Sequence, residues 1–77
     1  MQKKKSVRQQ LKIIEAIAAA RQDANLSRRE LSLRVGAHSN LMQNIEKGDR
    51  DVTVSEFITI AKEIGIDPIE LFRRAVK

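Results

Sequence analysis

The sequence predicts an all-α fold: a compact domain of five helices. Three observations carry this reading. Apolar residues recur at helical spacing, helix-start signals stand at several points along the chain, and no run of β-branched alternation lies between turn pairs. At 77 residues there is room for one domain, close to the lower size at which a single core holds without staples. Cysteine is absent, so neither a disulfide nor a thiolate metal site can add stability.

Ser6 is positioned to cap the first helix, whose inner face would carry Ile13, Ile14, Ile17, Ala20 and Ala24 and which should run to about Asp23. Asn25 then suits a left-handed helix end, because its short amide tolerates positive φ. Ser27-Arg28-Arg29-Glu30 has the form of a capping box, in which serine and glutamate each satisfy a free backbone N–H at a helix start. Leu31 and Val35 give this short second helix a buried stripe, and Gly36 lets the chain reverse.

Residues 39–46 are predicted to form the third helix, with Met42 and Ile45 on one side and Asn40, Gln43 and Asn44 on the other. Gly48-Asp49-Arg50-Asp51 reads as a turn, and Thr53-Val54-Ser55-Glu56 as a second capping box. The fourth helix would point Phe57, Ile60, Ala61 and Ile64 inward and stop at Gly65. Asp67-Pro68-Ile69-Glu70 supplies an N-cap, a proline at the first helical position and a capping glutamate for the fifth.

Fifteen Lys and Arg against ten Asp and Glu give a net charge of +5 and a pI near 10.1, a balance that favours a polyanionic partner. The lysines near the start are not followed by the apolar run of a signal peptide. The longest apolar stretch, 16–20, is far short of the ~20 residues that span a bilayer. A soluble cytoplasmic protein with no membrane contact is therefore expected. The acidic residues form no paired-carboxylate, phosphate-loop, dinucleotide or metal-binding pattern, and His38 stands alone. No enzymatic activity, cofactor or metal is expected.

Counting from Arg28, the small residue Ser32 falls fifth, Gly36 ninth, and Met42 and Ile45 fifteenth and eighteenth. Two steeply crossing helices need close approach, a turn and two core anchors at those places. With Arg21, Leu26-Ser27, Glu30-Leu31, Ile45-Glu46-Lys47-Gly48 and the run from Phe57 through Ile60-Ala61 to Gly65-Ile66-Asp67, the sequence resembles the Cro/repressor-like helix-turn-helix regulators, the xenobiotic-response-element (XRE) family, over about residues 12–72.

The resemblance implies a lambda-repressor-like domain at 11–77, preceded by a basic arm and helix start at 1–10, with the helix-turn-helix at helices 2 and 3. It implies a transcriptional regulator of double-stranded DNA, with the third helix as the recognition helix. Ser39, Asn40, Gln43 and Asn44 would face base edges; asparagine can pair with adenine, and Leu41, if exposed, would meet a thymine methyl. Ser27, Arg28, His38, Lys47 and Arg50 would contact phosphates, with Asp49 and Asp51 either orienting Arg50 or weakening the grip. Arg21 and Glu46 occupy positions that form a structural ion pair in this family.

On the fifth helix, Ile69, Phe72 and Val76 form one apolar stripe and Leu71 and Ala75 another. One stripe can close the core. The first is left over as a homodimer interface, which would set two recognition helices about one DNA turn apart on an inverted repeat. A repressor is expected, or a regulator of the restriction-modification controller kind, bacterial or phage-encoded and nucleoid-associated. The same fold also serves antitoxins and protein-interaction modules, so a toxin or RNA polymerase is a further possible partner.

Overall fold

Five helices make up the computed structural model, which describes residues 4–36 and 38–77: α1 (Lys4–Asp23), α2 (Arg28–Arg34), α3 (Leu41–Glu46), α4 (Val54–Ile64) and α5 (Pro68–Val76). Among the described residues there is no strand, and no helix is long and apolar enough to cross a membrane.

The long α1 is the strut against which α5, α3 and α4 pack, while α2 lies on α3 and α4. Ile14, Ile17 and Ala20 present its buried face, joined by Leu26, Leu31, Leu41, Met42, Ile45, Ile60, Ala61 and Leu71 in one core. So small a core leaves little margin: truncating a fully buried Ile17 or Leu71 removes packing that the rest of a short chain cannot replace.

The turns around the two-helix unit have identifiable causes. At the end of α1, Asn25 takes φ 60°, and the N–H groups of Asn25 and Leu26 donate to the carbonyls of Gln22 and Arg21 at 2.9 and 3.1 Å. This is a Schellman closure with asparagine in the left-handed position, and the buried Leu26 seals it. Gly65 closes α4 in the same way, at φ 99°, with Ile66 donating to the Ala61 carbonyl.

Several boundaries differ from the sequence expectation. Helix α1 is already running at Lys4, so Ser6 lies inside it and is not its cap; Lys4 and Lys5 belong to the helix, and the first three residues of the basic arm lie outside the described residues. Ala24 is exposed beyond the last helical residue, and Arg21, 7% exposed, takes the next buried position. Helix α3 starts at Leu41, leaving Ser39 and Asn40 in the preceding turn. At α5, Asp67 caps the N–H of Ile69 at 2.9 Å, but Glu70 does not return to the cap. Two arginines one turn ahead hold its carboxylate instead, Arg73 at 2.7 Å and Arg74 at 3.4 Å.

Candidate nucleic-acid interface

The α2–α3 unit begins with a complete capping box. Ser27 Oγ accepts from the Glu30 N–H at 3.0 Å, and Glu30 Oε1 accepts from the Ser27 N–H at 2.9 Å. That backbone hydrogen bond is the main reason the Glu30 carboxyl titrates below the usual carboxylate range.

Ser32, fully buried, donates to the Arg28 carbonyl at 2.8 Å and accepts from the Met42 N–H at 2.9 Å. The sequence reading used this residue only for its small size. Its hydroxyl was nonetheless a visible signal: a position that required only smallness would be served by alanine. Asn40, the N-cap of α3, makes no side-chain capping bond.

The inner face of α3 consists of Leu41, Met42 and Ile45, each at most 4% exposed. Leu41 therefore does not project outward, and the expectation of a thymine-methyl contact from it is corrected. Leu41 lies four residues before Ile45, one turn away on the same side of the helix, and the core claims both. The opposite side carries Gln43, which is exposed, and Asn44, half-buried; in the turn before it, His38 and Asn40 are exposed and Ser39 is half-buried. His38 Nδ1 accepts from the Asn40 N–H at 3.2 Å, which ties the turn to itself.

A carboxylate from the last residue of α3 joins three elements. Arg21 donates through Nε to Glu46 Oε2 at 2.8 Å and through Nη2 to Oε1 at 3.2 Å, and its Nη1 donates to the Leu26 carbonyl at 2.8 Å. Arg28 reaches the same carboxylate through Nε at 3.2 Å while its side chain stays about half exposed. The Arg28–Glu46 link was not read from the sequence, because nothing local connects residues 18 positions apart on different helices.

Beyond α3, Lys47 Nζ lies 3.5 Å from Asp49 Oδ2. Arg50 is held by neither Asp49 nor Asp51; its Nη2 donates to Glu56 Oε2 at 2.8 Å. Glu56 thus serves two elements at once, since its Oε1 accepts from the Thr53 N–H at 3.1 Å and completes the α4 capping box. The Arg50 hydrogen bond, and then the Thr53 backbone, hold its carboxyl below the usual range.

With a folded pKa below the unfolded one, Glu56 contributes stability that is present above the ordinary glutamate range and is lost as pH falls through the folded value. Glu56→Gln is accordingly expected to lower the thermal midpoint at neutral pH and to lower it less in acid, as the native carboxyl takes up its proton. An equal loss at both pH values would mean that ionisation of Glu56 is irrelevant to the fold.

On α5, Leu71 and Ala75 enter the core, whereas Ile69, Phe72 and Val76 are 66%, 51% and 57% exposed. The Phe72 ring packs edge-on against Phe57, with centroids 6.2 Å apart.

A helix-turn-helix family model matches residues 17–71 of the chain. The structure is similar to an XRE-family like protein from Pseudomonas syringae pv. tomato str. DC3000, with 25% identity and a TM-score of 0.83 over 90% of this chain and 84% of that one. It shares its fold with the clp gene regulator ClgR from C. glutamicum, at 16% identity and a TM-score of 0.80 over 88% of each chain. No curated protein sequence matches the chain.

Proposed function

Because the chain belongs to the XRE-type helix-turn-helix family of DNA-binding transcriptional regulators, we propose that it acts as a homodimeric repressor on an inverted-repeat operator, reading base edges with α3. One observation carries this reading: the amide-bearing side of α3 faces outward while Met42 and Ile45, both fully buried, anchor the other side. Asparagine and glutamine amides offer a donor and an acceptor together, the pattern that matches N6 and N7 of adenine in the major groove.

Ser39, Asn40, Gln43 and Asn44 are the base-contacting residues in this proposal, and Leu41 is not. Ser27, Arg28, His38, Lys47 and Arg50 contact the backbone. Lys47 and Arg50 each sit beside a carboxylate, which lowers the positive potential they offer a phosphate and so moderates non-specific affinity. Sequence discrimination then depends more heavily on the amides.

Two substitutions separate the roles. Asn44→Ala is expected to cost ~1–3 kcal/mol at one operator position and to relax base preference there. Lys47→Ala should weaken all duplexes alike and reduce the slope of log affinity against log salt by about one. Selection of bound sites from random duplexes, followed by titration at two salt concentrations, measures both. Identical behaviour of the two variants across a panel of sites overturns the assignment, and a chain that binds no duplex at low salt overturns DNA recognition itself.

A further inference from the structure

We infer that Ser32 is a positioning residue for DNA recognition, tying the recognition helix to the residue that meets the phosphate backbone. The inference rests on α3 as the reading helix and goes beyond it to what holds that helix at its angle. A helix of six residues has most of its N–H groups in its first turn, where no intrahelical acceptor exists. The usual remedy is a side-chain oxygen at the N-cap, and here Asn40 supplies none. The Met42 N–H is satisfied from another helix, by Ser32 Oγ at 2.9 Å.

The same hydroxyl donates to the Arg28 carbonyl at 2.8 Å, and the Arg28 side chain reaches Glu46 at 3.2 Å. Both ends of α3 are thereby tied to Arg28: the start through Ser32 to its backbone oxygen, the finish through Glu46 to its guanidinium. This closed circuit fixes rotation and tilt of α3 relative to α2. A phosphate seated on Arg28 consequently sets the register in which Asn40, Gln43 and Asn44 meet the base edges. Ser32 touches no nucleotide in this scheme; fully buried, it acts through Met42 and Arg28.

The test is Ser32→Ala, which removes one oxygen from a buried site without adding volume. Specific operator affinity is expected to fall on the order of tenfold, as one buried N–H loses its partner, while affinity for random duplex changes less than about twofold. Hydrogen exchange at the Met42 amide should accelerate on the order of tenfold with α4 and α5 amides unaffected. A role confined to stability would lower the two affinities together.

In the unaltered chain the Met42 amide should exchange as slowly as the amides of the core helices, a measurement that stands even where the variant does not fold. A fast-exchanging Met42 amide, or a folded Ser32→Ala chain with undiminished discrimination, overturns the role of Ser32 alone. An unaltered chain that ignores duplexes overturns the DNA reading on which that role depends.

Discussion

Replacing Glu46 with alanine is expected to cost the fold about 3–5 kcal/mol, because it leaves a buried charge without its partner. The Arg21 side chain is 8% exposed and spends two of its three nitrogens on this carboxylate; only the bond to the Leu26 carbonyl would survive. Native stability of roughly 0.05–0.15 kcal/mol per residue gives a chain of 77 residues roughly 4–12 kcal/mol in all. The variant would therefore forfeit a quarter or more of its stability, or unfold outright.

Urea denaturation of Glu46→Ala and of the double variant Arg21→Met with Glu46→Leu separates the two parts of the effect. Removing both charges also removes their desolvation cost, so the double variant should be substantially more stable than Glu46→Ala. A loss below about 1 kcal/mol in Glu46→Ala would mean that the pair behaves as an exposed bridge and does not hold α3 against α1.

The helices were legible in the sequence because their signals are local. Ser27 with Glu30, Thr53 with Glu56, and Pro68 after Asp67 announce three starts within four residues each, and Asn25 and Gly65 announce two ends by the backbone conformation they permit. The outward amides of α3 were equally readable, since Met42 and Ile45 define the inner side by spacing alone. Leu41 was misread because the inner side was drawn from Met42 and Ile45 alone, although Leu41, four residues before Ile45, lies on that side too. The start of α3 has no side-chain cap of its own, and its Met42 N–H is met by Ser32, ten residues back on another helix.

The Arg21–Glu46 pair was expected from the family resemblance and is present, but the partners of Arg28 and Arg50 were not legible in the sequence. Arg50 has two acidic neighbours in sequence, yet it bonds to Glu56, which the α4 capping box already holds in place. Arg28, read only as a phosphate contact, shares Glu46 with Arg21. Local composition names the charged groups; tertiary packing decides which of them a phosphate would find unshielded. For this chain the consequence is functional, because three of the proposed phosphate contacts, Arg28, Lys47 and Arg50, each face a carboxylate already.

Ile69→Asp is expected to convert a dimer to a monomer and to lower affinity for a two-half-site operator by roughly 10²–10⁴-fold, the gain that linked binding of a second site normally supplies. Ile69 is 66% exposed and lies with Phe72 and Val76 on the side of α5 that the core leaves uncovered. The substitution should not disturb the monomer: the new carboxylate would sit in the first turn of α5, where the helix dipole favours negative charge, and exposed positions usually tolerate change within about ±0.5 kcal/mol. Affinity for a single half-site should accordingly be unchanged, and thermal stability should differ only by the part that dimerisation contributes through mass action. Analytical ultracentrifugation of both chains, paired with titration of full and half operators, reads each quantity separately. If the unaltered chain sediments as a monomer on and off DNA, or if Ile69→Asp remains dimeric, the α5 stripe is not the two-fold contact, and the spacing between recognition helices must be set by another surface.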